Sequence, residues 1–247
     1  MIIILLLIIF FSILGSIGAV LTAGIFLLFK KKIQVILVPC LIAYATGTLL
    51  AAALLVMIPT AISQGDPSMI MLFLLGGVLF FFLLEKTIIW HHCHDKNCEI
   101  QSAAGPLLLI GDSFHNFIDG IIIAAGFLIS LPIGIIISFS VLTHEIPQEI
   151  GDFAILLESK YSKNKAFLLN LLSSSCTIPA AIISYYILDF VSSIVPFIIA
   201  ISAASFIYIA LTDLTPDLHH SVGLKYSIRQ IILIFAGIGT ITLIILI

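Results

Sequence analysis

Residues 103–157 read AAGPLLLIGDSFHNFIDGIIIAAGFLISLPIGIIISFSVLTHEIPQEIGDFAILL, and the fold turns on how this stretch is parsed. Two apolar runs, 103–130 and 132–157, meet at the single residue Leu131. Each exceeds the roughly 20 residues that carry a helix across a bilayer core. Inside them lie His115-Asn116-Phe117-Ile118-Asp119 and His144-Glu145-Ile146-Pro147-Gln148-Glu149-Ile150-Gly151-Asp152. From Asp112 to Asp152 there are five carboxylates and two histidines, with no Lys or Arg. Ionisable groups within a bilayer are costly and are normally paired. The missing partner is expected to be a cation that comes and goes.

Working outward, the rest of the chain is equally apolar. Its 247 residues are 61% hydrophobic and 9% charged, against roughly 25% charged in a soluble domain. The fold class expected is an all-α integral membrane protein with eight transmembrane helices, at about 2–29, 33–62, 68–90, 103–130, 132–157, 166–190, 193–214 and 231–247. These spans leave nothing over for a second domain, so 1–247 reads as one transmembrane unit embedded in a lipid bilayer. The first run lacks a basic leader and a small-residue cleavage site before it, and is expected to be a span, not a removable signal peptide. Cys40 and Cys176 fall within spans, and Cys93 and Cys98 share a basic loop, so no disulfide framework is indicated. A net charge of -3 says little about partners, and no nucleic-acid partner is expected.

The basic residues fix the orientation. Lys30, Lys31 and Lys32 follow the first span, Lys86 and Lys96 the third, Lys160, Lys163 and Lys165 the fifth, and Lys225 and Arg229 the seventh. All therefore lie on one side of an eight-span chain, which puts both termini outside.

On span four, Asp112, His115, Asn116 and Asp119 fit within an arc of about 100°, and on span five His144, Glu145, Gln148, Glu149 and Asp152 within about 140°. Each helix thus carries one polar stripe, and the short link makes the two an antiparallel hairpin. Counting back from the link at 1.5 Å per residue puts His115 and His144 both roughly 20 Å from the outer surface. The i,i+4 pairs His115/Asp119 and His144/Gln148 are placed to share one ion, with Asn116, Glu145 and Glu149 beside them for a second. Asp112 and Asp152 read as pathway or supporting groups. Imidazole with oxygen donors suits Zn²⁺, Fe²⁺, Mn²⁺ or Cd²⁺. Pro147 removes the helical hydrogen bond to the Thr143 carbonyl and is expected to kink the helix.

These residues resemble the ZIP (Zrt/Irt-like) divalent metal transporters. The span-four pattern there is H-N-x-x-[DE]-G, here His115 to Gly120, and span five in many members reads H-E-x-P-[HQ]-E-x-G-D, here His144 to Asp152. Leu84-Glu85-Lys86, His91-His92-Cys93-His94-Asp95 and Phe206-Ile207-Tyr208-Ile209-Ala210 leading to Pro216-Asp217-Leu218-His219 extend the match. The resemblance implies eight spans with outside termini and import of divalent metal, usually zinc, toward the cytoplasm by alternating access between helix bundles. It implies a multi-pass protein of a plasma or bacterial inner membrane, commonly a homodimer, with no prosthetic group. It matches His115, Asp119, His144 and Gln148 to a main transport site, and Asn116, Glu145 and bridging groups to a second. Gln148 stands where many animal members have His, and span six, with Asn170, Ser173, Ser174, Ser175 and Thr177, offers no carboxylate.

Ligand types also occur outside the core. His91, His92, Cys93 and His94 lack the paired spacing of a structural zinc module and are expected to make low-affinity metal contacts on the inner side. Asp217 and His219, with Asp213 and His220, close span seven and are candidates for an exit path. Two other functions use the same residue types. An intramembrane zinc hydrolase would use His144-Glu145 as the start of H-E-x-x-H, but the fifth position is Gln148 and Pro147 interrupts the motif. A proton-coupled carrier of an organic substrate would use the acids as a relay, and leaves the imidazole and amide groups unexplained.

Overall fold

The computed structural model describes residues 2–92, 100–190, 192–219 and 223–246, and among them every regular element is helical. That is what lipid demands outside a closed barrel, because only a helix satisfies its own backbone groups. Helix α1 is Ile2–Phe26 and α2 is Lys32–Gln64. Next come α3 (Pro67–His92), α4 (Ile100–Ile129) and α5 (Leu131–Glu158). Helix α6 has two parts, Lys163–Ser174 and Thr177–Phe190. Helix α7 runs over Val195–Ile209 and on through Ala210–Leu214 to Thr215–His219, and α8 is Leu224–Leu246.

Seven of these helices contain segments long and apolar enough to cross a membrane. The exception is α5, which at 28 residues has the length but carries His144, Glu145, Gln148, Glu149 and Asp152. Large apolar side chains face outward all round the periphery, among them Leu6, Phe10, Leu79, Leu83, Ile232 and Phe235. So many exposed large apolar side chains among the described residues suit lipid, not water.

Prolines shape the columns. Pro179 has no N–H to offer the Ser175 carbonyl one turn back, and α6 opens at Ser175 and Cys176, where Ile178 N bonds Ser175 O instead (3.2 Å). The sixth span expected over 166–190 is thus one membrane-length run, Lys163–Ile187, made of two helical segments. Wide π turns at Ala52–Met57 and Ala210–Leu214 precede Pro59 and Pro216 in the same way, each holding the carbonyl that the proline leaves unbonded. By contrast α5 stays one continuous helix through Pro147.

The α4–α5 connection is the single residue Ser130, in extended conformation. It caps α5 by accepting from Ile133 N (3.3 Å), with proline in the first turn. Gly134 sits where any Cβ would overlap the Phe127 ring, so the two helices close tightly just below the turn.

The columns sort into two groups. Helices α1, α4, α5 and α6 pack on one another, as do α2, α3, α7 and α8. The groups meet chiefly where α2 crosses α5, and also where α7 touches α4. Thr48 and Thr143 share a hydrogen bond across that boundary (2.7 Å). A smaller apolar cluster of Val20, Ala23, Phe26, Ile150, Phe153, Leu156 and Ala166 ties α1, α5 and α6 at the end away from Ser130.

Candidate metal centre

The two polar stripes face each other inside the first group of helices. His115 Nε2 lies 3.1 Å from His144 Nε2, 3.7 Å from Asp119 Oδ2 and 3.3 Å from Glu145 Oε1. His144 Nε2 lies 3.3 Å from Asp119 Oδ2 and 3.4 Å from Glu145 Oε1. One donor atom from each of these four residues falls within 4.8 Å of all the others. Zinc bonds of about 2.0–2.1 Å set the edges of a coordination tetrahedron at roughly 3.3–3.4 Å. Five of the six edges here span 3.1–3.7 Å, so the donors already stand near the corners of such a figure.

Local sequence explains the placement. His144 Nδ1 lies 2.9 Å from the Ser140 carbonyl, one turn back on α5. Donating its proton there leaves the Nε2 lone pair aimed at the cluster. The imidazole also meets the Phe206 ring of α7 edge-on, with centroids 5.7 Å apart. On α4, Gly120 has no Cβ to strike the Thr177 carbonyl of α6. The helices consequently approach close enough to bury the neighbouring Asp119. Asp119 and His144 are fully buried and Glu145 nearly so, whereas the His115 side chain keeps 15% of its surface exposed. Apart from the two imidazoles, no hydrogen-bond donor reaches the carboxylate oxygens of Asp119 and Glu145. Unpaired buried carboxylates are strongly disfavoured, and a cation among them relieves that imbalance. Two imidazoles with two carboxylates suit Zn²⁺ or a similar borderline ion.

The remaining stripe residues form a separate network. Asn116 donates to the Asp112 carbonyl (3.2 Å) and to Asp112 Oδ1 (3.0 Å), and its own Oδ1 accepts from Thr177 (2.9 Å) and Ser174 (3.4 Å). Gln148 Nε2 also donates to Asp112 Oδ1 (3.0 Å). Spacing along α5 pairs Gln148 with His144; the geometry instead puts Glu145 beside the imidazoles, since Asp112 holds the Gln148 amide. Glu149 and Asp152 are buried further from the turn. His219 is exposed at the end of α7. The side chains of His91, His92, Cys93, His94 and Asp217 lie outside the described residues.

Three supports escape a motif search. Ser140, Ser174 and Thr177 act on His144 and Asn116 through a carbonyl and two hydroxyls. Their only trace in the sequence is a run of small polar residues within apolar spans.

Several known proteins similar to this chain are zinc transporters. Human zinc transporter ZIP10 is 33% identical over 146 residues, covering 54% of this chain and 18% of ZIP10. The Caenorhabditis elegans zinc transporter zipt-7.2 is 37% identical over 140 residues, 53% of this chain and 29% of the relative. Zinc transporter ZIP13 of Pongo abelii is 32% identical over 169 residues, 68% of this chain and 50% of the relative. The chain thus spans half or less of the length of these relatives. The family model described as ZIP zinc transporter matches residues 90–245. That match takes in α4 and α5 with all four clustered donors, and by it the chain belongs to the ZIP zinc transporter family.

Proposed function

We propose that this protein carries divalent metal ions, zinc foremost, across a membrane toward the cytoplasm, with the ion held by His115, Asp119, His144 and Glu145. The near-tetrahedral spacing of two imidazole nitrogens and two carboxylate oxygens carries this reading. In it α5 crosses the membrane too, with its polar stripe covered by neighbouring helices, giving eight crossings in one domain spanning 1–247. Grouping of the ten basic residues on one side of those crossings supports termini on the outside. The split into two helix groups supplies surfaces that can move against each other, and one group holds all four donors. Assembly as a homodimer and residence in a plasma or bacterial inner membrane belong to the same proposal. A hydrolase is disfavoured because Glu145, its natural general base, stands 3.3 and 3.4 Å from the imidazoles as a fourth donor.

The test is uptake of Zn²⁺, Cd²⁺, Mn²⁺ and Fe²⁺ into reconstituted vesicles by native protein and by Asp119→Ala. The variant is expected to lose uptake of every ion that the native protein carries. Unchanged uptake in the variant, or none in the native protein, would overturn the proposal.

Two further outcomes follow from the donor set. Glu145→Gln is expected to weaken zinc binding by at least the roughly 10–100-fold typical of losing a group that only supports a metal ligand, and Gln148→Ala by much less. Isothermal titration of the two purified variants distinguishes this from a site built on Gln148. Secondly, imidazoles bind metal only when neutral. Affinity should therefore fall as pH is lowered and protons compete for the imidazole nitrogens. A zinc Kd flat between about pH 5 and 8 would contradict imidazole ligation.

A further inference from the structure

We propose that Asp112 is a specificity-determining residue: by accepting the Gln148 amide on its carboxylate it keeps that side chain off the ion, which holds the centre at four donors and favours zinc. This role rests on the metal-binding reading of His115, Asp119, His144 and Glu145, and belongs to a residue outside that cluster.

Gln148 stands one helical turn beyond His144 on α5, and side chains four residues apart on a helix have Cβ atoms about 5–6 Å from each other. Its amide oxygen is a competent ligand for a divalent ion. Instead, Gln148 Nε2 donates to Asp112 Oδ1 across the hairpin (3.0 Å). An ionised carboxylate only accepts, so this bond turns the amide nitrogen toward Asp112. Asp112 is buried, and little water competes for the oxygen that Gln148 uses.

Asp112 is itself held in place. Asn116 Nδ2 donates to the same Oδ1 (3.0 Å) and to the Asp112 carbonyl (3.2 Å), while Thr177 and Ser174 of α6 donate to Asn116 Oδ1. The two amides depend on the carboxylate unequally. Without it, Asn116 keeps the Asp112 carbonyl and both hydroxyls and stays where it is. Gln148 loses its acceptor. That side chain is only partly buried, so once released it has room to turn its oxygen toward an ion held at His144.

Metals differ in what a fifth donor is worth to them. Zn²⁺ is satisfied by four ligands in a tetrahedron, whereas Mn²⁺ favours octahedral surroundings rich in oxygen. An added amide oxygen therefore strengthens Mn²⁺ binding more than Zn²⁺ binding, and Asp112 withholds it. Loss of the Asp112 charge weakens both divalent ions alike and cancels in the ratio of their affinities.

The test is isothermal titration of the purified full chain in detergent with Zn²⁺ and with Mn²⁺. Asp112→Ala is expected to lower the ratio of the Mn²⁺ Kd to the Zn²⁺ Kd by about tenfold, the lower end of what groups around a metal site contribute. Asp112→Val, which fills the space but offers no acceptor, should do the same. Asp112→Asn keeps the accepting oxygen without the charge and should retain the native ratio. Adding Gln148→Ala to Asp112→Ala should restore that ratio, since no amide remains to be released. Size-exclusion chromatography establishes that each variant is folded. The role is overturned if both releasing variants keep the native ratio, if Asp112→Asn shifts it as they do, or if the shift survives in the double variant. Native protein that shows this pattern yet accumulates no zinc in vesicles would overturn the transport reading and uphold the role of Asp112.

Discussion

His144→Ala is expected to cut zinc uptake into reconstituted vesicles by about 100-fold or more, beyond the 10–100-fold typical of losing a group that only supports a metal ligand. The imidazole occupies one corner of the donor figure and lies within 3.4 Å of the other three donor atoms. Its removal leaves one imidazole facing two buried carboxylates. Little water can replace it, since the His144 side chain is fully buried. His115→Ala should be milder, because that side chain is 15% exposed and water can enter its corner. Radiolabelled zinc uptake at matched protein density checks both. Near-native uptake by His144→Ala would take the cluster out of the pathway.

Gly120→Leu is expected to abolish recovery of folded protein. A Cβ at that position would overlap the Thr177 carbonyl and come within 2.8 Å of Ala180 Cβ and 2.9 Å of Ala181 N. Overpacking against side chains costs about 1–3 kcal/mol. Here much of the obstruction is backbone, which cannot rotate away, so α4 and α6 must separate. Separation would expose Asp119 and unseat Asn116 from Thr177. Gly151→Leu is the control, because nothing lies within 4 Å of a Cβ there. Size-exclusion recovery in detergent should collapse for the first and match native for the second.

Much of this arrangement is legible in the sequence. Apolar length finds the helices, and the 3.6-residue period collects His115 with Asp119 and Asp112 with Asn116 on one face of α4. Other features depend on how two helices approach. Neighbours His144 and Glu145 lie about 100° apart within the stripe on α5, so periodicity alone assigns them to neighbouring ions; the crossing of α4 between their directions gathers both at one point. Gln148 shares a face with His144, yet a carboxylate on the other helix claims its amide. The opening in α6 had a visible cause in Pro179, but whether a proline kinks, widens or divides a helix depends on what packs against it. Pro147, Pro59 and Pro179 give three different answers in this one chain.

The division into two helix groups has a consequence for the ion. Every donor in the cluster belongs to α4 or α5, which are joined through one residue and share their packing with α1 and α6. The opposite group supplies the Phe206 ring and the Thr48 hydroxyl at its border, but none of the four donors. Sliding one group past the other would alter which side of the membrane reaches the ion without rearranging what holds it. On the transport reading proposed above, access and affinity are then set by different parts of the molecule, and selection among metals falls to a single hairpin.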